Sequence, residues 1–337
     1  MSLIELPIDS HLDGICQAVA KNNCVALSAT PGSGKTTRVP SRLMDCEWAK
    51  KSQILVLEPR RIAAKLAAHR VASEKGQQLG IDVGYRIRGD SVGSGRTRLW
   101  FLTEGVLIKT LLGNRTLEGI CCVVLDEFHE RSVHTDFALA ALRKLQATSR
   151  PDLKIILMSA TMDQKSLGAN SPDFKFIEVS GQVYPLEIVW AGNDLRNKDQ
   201  RDKGQDFVDV AEIWGVIKTA LGWRQVANIL VFLPGFAGIL RLKEKIEERT
   251  SECSVLVLHS NLTKEEQDKV LFCSSKGNII LSTNIAESSV TLPNVNVVID
   301  SGLHRQMEFN GWNDVPTLRT KKISQASAIQ RAGRAAR

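Results

Sequence analysis

Residues 29–36, with the sequence ATPGSGKT, constrain the fold of this 337-residue chain more than any other stretch. They overlap the end of an uncharged run, CVALSAT, which predicts a short buried strand, and they lead into a segment that favours a helix. In a glycine-rich loop at this position, successive backbone N–H groups turn toward one anion, and the positive end of the helix faces it. The stretch therefore predicts an α/β fold with a loop that holds nucleotide phosphates.

Individual residues of this loop have distinct expected roles. Lys35 is expected to reach the β- and γ-phosphates, and the Thr36 hydroxyl is expected to bind magnesium. The usual pattern begins with glycine, whereas this chain has Ala29, which is acceptable if the turn needs no positive φ there. The other nucleotide-binding candidates of the loop are Thr30, Gly32, Ser33, Gly34 and Thr37.

A pair of carboxylates forms the second candidate site. Residues 120–125 (ICCVVL) predict a strand buried on both faces, and Asp126 and Glu127 follow at its carboxyl end, where open α/β sheets bind ligands. Asp126 can hold magnesium, directly or through water, with Glu127 as a second metal candidate, and Glu127 can take the proton of an attacking water. A solvated strand cap is the alternative interpretation, which the phosphate loop upstream disfavours.

Strand-like and helix-like segments alternate along the chain, which predicts parallel sheets built from β–α–β units. The pattern occurs twice, with a linker at 183–185 and a polar loop at 193–206, so we expect domains at 1–184 and 185–337. The predicted strands are 54–57, 99–102, 120–125, 154–158, 229–233, 255–258, 278–282 and 295–300. The predicted helices are 61–75, 105–112, 208–221 and 238–248.

Composition narrows the class of protein. The length suits two domains, and no apolar stretch is long enough to span a bilayer, so no membrane partner is expected. Seven cysteines without CxxC spacing favour thiols in a reducing, cytoplasmic environment over disulfides or a zinc site. The net charge of +7 is compatible with a nucleic-acid partner, and the aromatic content of 5% favours backbone contacts over base stacking.

Seven short stretches occur in the order of the superfamily 2 DEAH-type helicases, and the resemblance extends over nearly the whole chain. The chain resembles that family. Within the family it most resembles the bacterial HrpB-type branch, because it has Phe128 within DEFHER, the stretch LEPRR and the opening LPID. The matching stretches are LEPRRIAA (57–64), TEG (103–105), DEFHER (126–131), SAT (159–161), LVFLPG (230–235), STNIAESSVT (282–291) and QRAGRAAR (330–337).

The resemblance implies two tandem RecA-like domains that form an ATP-dependent, 3′-to-5′ RNA helicase motor, with ATP as substrate and magnesium as cofactor. It implies that Gln330 senses the γ-phosphate or its water, and that Arg334 and Arg337 act as arginine fingers when the domains meet. It places His129 between the carboxylate pair and Gln330. An arginine-rich helix end that contacts only solvent is the alternative for the last stretch.

The resemblance also implies residues that bind the nucleic acid and couple it to hydrolysis. Arg60, Thr103 and Thr283 match positions that hold phosphates of the strand. Ser159, Thr161 and Ser289 match coupling positions. Arg70 is expected to stack on the base of the nucleotide, with Leu271 or Phe272 opposite.

Two departures from the family pattern concern the end of the chain. The family has glycine where this chain has Ala336, which would misdirect Arg337 if the backbone needs a positive φ there. The chain ends at Arg337, whereas the resemblance implies a further strand and then winged-helix, helical-bundle and OB-like regions. We therefore expect a motor core truncated after its arginine-finger stretch.

Three other functions remain open at this point. One is a nucleotide hydrolase that acts on protein or small molecules, which the ordered stretches disfavour. Another is a DNA translocase, since backbone contacts alone do not separate RNA from DNA. The third is a catalytically impaired module that still binds nucleic acid. The sequence does not identify the target, the protein partners or the oligomeric state.

Overall fold

The computed structural model describes residues 5–160, 173–179, 185–190, 209–223, 226–250, 253–271, 273, 275–287, 292, 294–309 and 316–335. The chain divides into two compact units, Met1–Gln182 and Val183–Arg337. The boundary predicted at 184/185 lies close to this division. Most of the predicted linker and all of the predicted loop at 193–206 lie outside the described residues.

The first unit contains an eight-stranded sheet in the order β4-β3-β5-β2-β6-β7-β1-β8. All neighbouring strands are parallel except β3 and β4, which are antiparallel. Its strands are β1 (Cys24–Ala29), β2 (Gln53–Glu58), β3 (Val83–Ile87), β4 (Asp90–Val92), β5 (Leu99–Thr103), β6 (Ile120–Leu125), β7 (Lys154–Ser159) and β8 (Lys175–Val179).

The exception to the predicted parallel sheet has a local cause. Only residues 88 and 89 separate β3 from β4, and Gly89 has φ 79°. A two-residue turn of this kind returns the chain beside the strand it has just left, so β4 pairs antiparallel with β3. The parallel arrangement holds for the strands that position the candidate site.

Helices cover the first sheet on both faces, which explains why its central strands are mostly apolar. Alternate residues of one strand enter different core clusters: Val25 and Leu27 of β1 pack in one cluster, and Cys24 and Ala26 pack in the other. The helices of this unit are α1 (Leu12–Lys21), α2 (Lys35–Leu43), α3 (Arg61–Glu74), α4 (Glu104–Gly113) and α5 (Val133–Thr148).

The second unit has a four-stranded parallel sheet in the order β10-β11-β9-β12, and a separate antiparallel hairpin, β13-β14. Its strands are β9 (Asn228–Phe232), β10 (Ser254–Leu258), β11 (Asn278–Ser282), β12 (Val295–Asp300), β13 (Leu303–Phe309) and β14 (Pro316–Lys322). Its helices are α6 (Val210–Leu221), α7 (Phe236–Glu247), α8 (Lys264–Leu271) and α9 (Gln325–Ala332).

The predicted α/β fold with two tandem, mostly parallel sheets is confirmed, and every predicted strand and helix is present with ends that differ by at most two residues. Among the described residues, no helix combines the length and the apolar content that crossing a bilayer requires.

Candidate active site

The phosphate-loop candidate lies between β1 and α2, at the carboxyl edge of the first sheet. Gly32 and Gly34 have φ of 80° and 95°, a conformation that glycine adopts without steric cost. The Ser33 N–H donates to the Thr30 carbonyl at 3.2 Å, which closes a tight turn before α2 begins. Ala29 is the last residue of β1, so its extended backbone accommodates alanine in place of the usual glycine.

The segment before α1 packs against this loop. The Ile8 N–H donates to the Ser33 carbonyl at 3.2 Å. A Cβ added to Gly34 would lie 2.7 Å from Leu6 Cδ1 and 3.3 Å from Ile8 Cγ2. The positive φ of Gly34 therefore requires glycine, and an added Cβ would also displace the end of the Leu6 side chain.

The carboxylate pair contacts the residues that open α2. Lys35 Nζ lies 3.0 Å from Glu127 Oε1, and both side chains are buried. The Thr36 hydroxyl donates to Asp126 Oδ2 at 2.5 Å. Although burial lowers the pKa of Lys35, the neighbouring Glu127 and Asp126 carboxylates raise it above its ordinary value. The structure thus brings the two strongest sequence candidates into one site, with a charged lysine between them.

The backbone turns sharply at the end of β6, where the carboxylate pair Asp126 and Glu127 lies. Glu127 has φ 49° and ψ 39°, a left-handed conformation that is unusual for a residue with a Cβ. Its N–H donates to Asp126 Oδ1 at 2.7 Å, and the Asp126 N–H donates to the Leu57 carbonyl of β2 at 3.0 Å. Burial raises the pKa of Asp126 to about 6, although Lys35 and the Thr36 hydroxyl act to lower it.

His129 connects this pair to the end of β7. Its Nδ1 lies 3.1 Å from Ser159 Oγ and 3.5 Å from Glu127 Oε2. Ser159 is the last residue of β7 and is fully buried. The structure therefore places two predicted residues, His129 and Ser159, in contact with each other beside Glu127.

Glu58 belongs to the same site, although no sequence pattern predicted a role for it. It is the last residue of β2, between Thr103 of β5 and the end of β6, and it is fully buried. Neither carboxylate oxygen has a hydrogen-bond partner among the described residues. Burial, with the nearby Asp126 and Glu127, raises the pKa of Glu58 well above its ordinary value. An acidic residue at the carboxyl end of a buried strand was the feature that could have identified it.

Two of the candidates for nucleic-acid contacts lie along the same sheet edge. Arg60 precedes α3, and its Nη2 lies 3.3 Å from Glu130 Oε1 in an ion pair. Thr103 ends β5 and precedes α4. In the second unit, Thr283 follows β11 and precedes the turn Asn284–Ala286.

Arg70, the candidate for base stacking, is more than half exposed on α3, and its Nε lies 2.5 Å from Glu74 Oε1. Leu271 is buried at the end of α8, and Phe272 lies outside the described residues.

The candidate arginine-finger stretch begins within α9 of the second unit. Gln330 and Arg334 are 6% and 7% exposed, so the alternative of an arginine-rich end in solvent does not fit Arg334. Arg334 donates from Nε and Nη2 to the Glu287 carbonyl at 2.9 and 2.5 Å. Like Phe272, four further predicted residues lie outside the described residues, namely Thr161, Ser289, Ala336 and Arg337.

The oxygen atoms around Thr36, Asp126 and Glu127 suit magnesium, which prefers hard oxygen ligands. In the part of the chain that the structure describes, no group of three or more His, Cys, Asp or Glu side chains could hold a metal ion by itself. That arrangement fits magnesium, because this ion keeps several waters and takes phosphate oxygens together with one or two carboxylates.

Comparison with known proteins gives matches over both units. The DEAD/DEAH box helicase family model matches residues 13–168, and the helicase conserved C-terminal domain model matches residues 215–337. The crystal structure of Escherichia coli DEAH/RHA helicase HrpB superposes with a TM-score of 0.86 and 34% identity, covering 98% of this chain and 41% of that chain.

Two curated relatives indicate the range of the similarity. The ATP-dependent RNA helicase HrpB of Escherichia coli (strain K12) is 35% identical over 98% of this chain and 40% of its own length. The ATP-dependent RNA helicase DHX30 of Gallus gallus is 34% identical over 98% of this chain and 28% of its own length. The chain thus spans less than half the length of either curated relative.

Proposed function

The chain belongs to the DEAD/DEAH box helicase family, and from that premise we propose that it is a motor core that hydrolyses ATP to ADP and phosphate while moving on single-stranded RNA. The observation that carries this proposal is the meeting of the phosphate loop with the carboxylate pair, through Lys35 with Glu127 and Thr36 with Asp126. These contacts support the proposal, because phosphoryl transfer uses a cation, a hydroxyl that binds magnesium and carboxylates close to one another.

In the proposed mechanism, the backbone N–H groups of the loop 30–34 and the positive end of α2 bind the phosphates. Lys35 exchanges its contact with Glu127 for the β- and γ-phosphates, which leaves the Glu127 carboxylate able to accept a proton from the attacking water. Thr36, Asp126 and Glu127 would hold magnesium, whose chemistry is to neutralise charge on the phosphates. His129, between Glu127 and Ser159, keeps Glu127 oriented.

Gln330, Arg334 and Arg337 complete the proposed reaction. Gln330 would position the attacking water, and the two arginines would stabilise the charge that develops on the transferred phosphoryl group. Arginine suits this role because its planar fork makes bidentate contacts with phosphate oxygens.

The proposed RNA contacts are Arg60, Thr103 and Thr283, which would bind phosphates of a strand traversed from 3′ to 5′. Ser159, Thr161 and Ser289 would relay this contact to the site of hydrolysis. What supports RNA as the partner is that both curated relatives described above are named ATP-dependent RNA helicases. Ser159 contacts His129, which in turn lies beside Glu127, and these contacts support a coupling role for Ser159.

The test is steady-state ATP hydrolysis by the wild-type chain with and without single-stranded RNA, beside Lys35→Ala and Glu127→Gln. We expect RNA to stimulate turnover, and each substitution to lower kcat by about 100-fold or more, because each removes a group that acts on the reacting phosphate or water. Glu127→Gln is expected to retain binding of a fluorescent ATP analogue.

Two outcomes would contradict the proposal. One is hydrolysis that both substitutions leave unchanged in folded protein. The other is RNA binding without any turnover, which would indicate a nucleic-acid-binding module. Repeating the assay with DNA of the same sequence separates an RNA motor from a DNA translocase.

A further inference from the structure

Arg331 is a buried arginine with no role in the proposed mechanism. Its side chain is 1% exposed. Its Nε lies 2.8 Å from Glu287 Oε2, and its Nη1 lies 2.8 Å from Asp300 Oδ1. Nη1 also donates to the Leu303 carbonyl at 3.2 Å, and the guanidinium lies 4.8 Å from the centroid of the Phe232 ring. These contacts fix α9 to the ends of β9 and β12.

Glu287 is the residue on which the contacts of α9 converge. One carboxylate oxygen accepts from Arg331, and the other accepts from the Ser327 hydroxyl. The backbone carbonyl of Glu287 accepts both hydrogen bonds from Arg334. Glu287 thus holds Ser327 of α9 and two residues of the arginine-finger stretch, Arg331 and Arg334.

Glu287 also adjoins the segment proposed to bind RNA. The turn Asn284–Ala286 begins directly after Thr283, and Glu287 follows it. The Ala286 N–H donates to the Thr283 carbonyl at 3.3 Å, and the Glu287 N–H donates to the Asn284 carbonyl at 3.2 Å. A short turn with these hydrogen bonds leaves little freedom between Thr283 and the carbonyl that holds Arg334. A shift of one is therefore passed to the other.

Energetics argue that this pair serves more than stability. Taking two charges out of water costs free energy that their attraction repays only when the geometry is good, and apolar residues of similar size often hold a fold as firmly. The ion pair of Glu287 and Arg331 instead fixes one geometry for α9, because each charge must keep its partner.

We infer that Glu287 and Arg331 are positioning residues, which hold Arg334 in place for hydrolysis and link it to the turn that carries Thr283. This inference rests on the proposed function. Strand binding at Thr283 sets the position of the Glu287 carbonyl, and that carbonyl sets the direction of the Arg334 guanidinium. Arg331 keeps Glu287 from rotating away.

The test compares Glu287→Gln with Asp300→Asn in the full chain. Both substitutions neutralise one acceptor of Arg331, but Asp300→Asn leaves every contact of Glu287 in place. We measure kcat and KM for ATP with and without single-stranded RNA, the Kd for labelled RNA, and the melting temperature. For Glu287→Gln we expect RNA-stimulated kcat to fall by about 10-fold, with KM and RNA Kd changed less than about threefold, because the lost interaction acts on the transition state.

Asp300→Asn is expected to keep its RNA-stimulated kcat within about threefold of wild type, since α9 retains Glu287. If Glu287→Gln does not fold, Ser327→Ala replaces it; this variant removes only the hydroxyl contact with Glu287 and should lower kcat in the same direction with RNA affinity intact.

A merely structural role would make the two substitutions alike, with kcat falling only in proportion to the loss of melting temperature, and that result would overturn the inference. An unchanged stimulated kcat in Glu287→Gln would also overturn it. A wild-type chain that hydrolyses no ATP with RNA would instead overturn the proposed function, and this inference with it.

Discussion

Glu58 illustrates how one residue of the site works against the stability of the fold. Its carboxyl is buried beside Asp126 and Glu127, and no described residue hydrogen-bonds to it. Such a group is more stable neutral than charged, because burial and like-charged neighbours both disfavour the anion. The folded protein therefore retains a proton on Glu58 at a pH where the unfolded chain has released it.

This difference predicts a pH-dependent gain in stability for Glu58→Gln. Below the ordinary pKa of 4.5, both states are protonated and Glu58 carries no penalty. As pH rises from there toward the raised pKa of the folded state, wild type loses stability at on the order of 1 kcal/mol per pH unit from this group. Glu58→Gln lacks this loss, so its melting temperature should exceed that of wild type at pH 8, and the excess should shrink toward pH 5.

The measurement is thermal denaturation between pH 5 and pH 8 with a chelator and without nucleotide. Glu47→Gln is a suitable control, because Glu47 is exposed and pairs with Lys50 at the surface. A Glu58→Gln variant that is less stable than wild type at every pH would contradict the argument.

The ion pair of Arg60 with Glu130 leads to a second prediction at the scale of single residues. Glu130 pairs with Arg60, which we propose binds an RNA phosphate, so RNA must compete with Glu130 for this arginine. Glu130→Gln should therefore tighten the binding of single-stranded RNA by a few-fold, since a partly exposed pair of this kind is worth up to about 1 kcal/mol. Fluorescence anisotropy with labelled RNA measures this.

The matched control for that experiment is the double variant with Arg60→Ala. Without Arg60, the Glu130 substitution has no arginine to release, so the gain in affinity should disappear. Equal gains in the presence and absence of Arg60 would show that Glu130 repels RNA in some other way.

At the scale of elements, the phosphate loop depends on a glycine that no other residue can replace. In Gly34→Ala, the left-handed backbone and the closeness of Leu6 Cδ1 both oppose the new Cβ. We expect this variant to lose at least about 1 kcal/mol of stability and most of its nucleotide binding, because the left-handed backbone strains alanine and the phosphate loop must distort to relieve that strain.

Gly14→Ala is the matched control for that substitution. Gly14 lies inside α1 with nothing within 4 Å of an added Cβ, so alanine there should leave the protein as stable or slightly more stable. Thermal melting and binding of a fluorescent ATP analogue distinguish the two variants. A Gly34→Ala protein that binds the analogue as tightly as wild type would contradict the assignment of this loop.

The elements that the sequence could predict are those with a strong apolar pattern. Central strand β6 is entirely apolar and β11 has three consecutive apolar residues at its centre, and the bounds of both were predicted to the residue. The hairpin of β13 and β14 was missed because its strands are mostly polar, with neither an apolar run nor a regular alternation, as in LHRQMEF. α5 was missed although Ser132, which accepts from the Thr135 N–H, is a common N-cap residue.

The site was predictable to the extent that its residues belong to known local patterns. The glycine-rich loop identified Lys35 and Thr36, and the end of a buried strand identified Asp126 and Glu127. The structure brings these four side chains together. Glu287 was not found, because its role depends on contacts with residues about 40 positions away in α9. Local patterns carry no information about contacts that form only when distant elements pack.

At the scale of the whole molecule, the net charge of +7 predicts that RNA binding depends strongly on salt. Each phosphate neutralised by a cationic side chain releases counterions, so log K should fall against log salt concentration with a slope of about −0.7 per contact. Arg60→Ala should reduce this slope by about 0.7. The measurement is the Kd for RNA between roughly 50 and 300 mM salt, a range in which counterion release changes affinity strongly.

Arg115→Ala is the control for overall charge. Arg115 is exposed and lies just before β6 begins, at the amino edge of the sheet, opposite the candidate site. Arg115→Ala should lower the net charge by the same amount as Arg60→Ala without changing the slope of log K against log salt concentration. If both variants change the slope equally, RNA binding follows the total charge, and Arg60 is not a specific contact.

The packing of Leu6 and Ile8 against the phosphate loop has a practical consequence for anyone who purifies this protein. An affinity tag joined at the amino terminus, or the few residues left after its cleavage, would lie close in sequence to the segment that packs against the phosphate loop. Measured ATP affinities would then depend on the expression vector. A long flexible spacer ahead of Met1, or complete removal of the tag, keeps such assays comparable between laboratories.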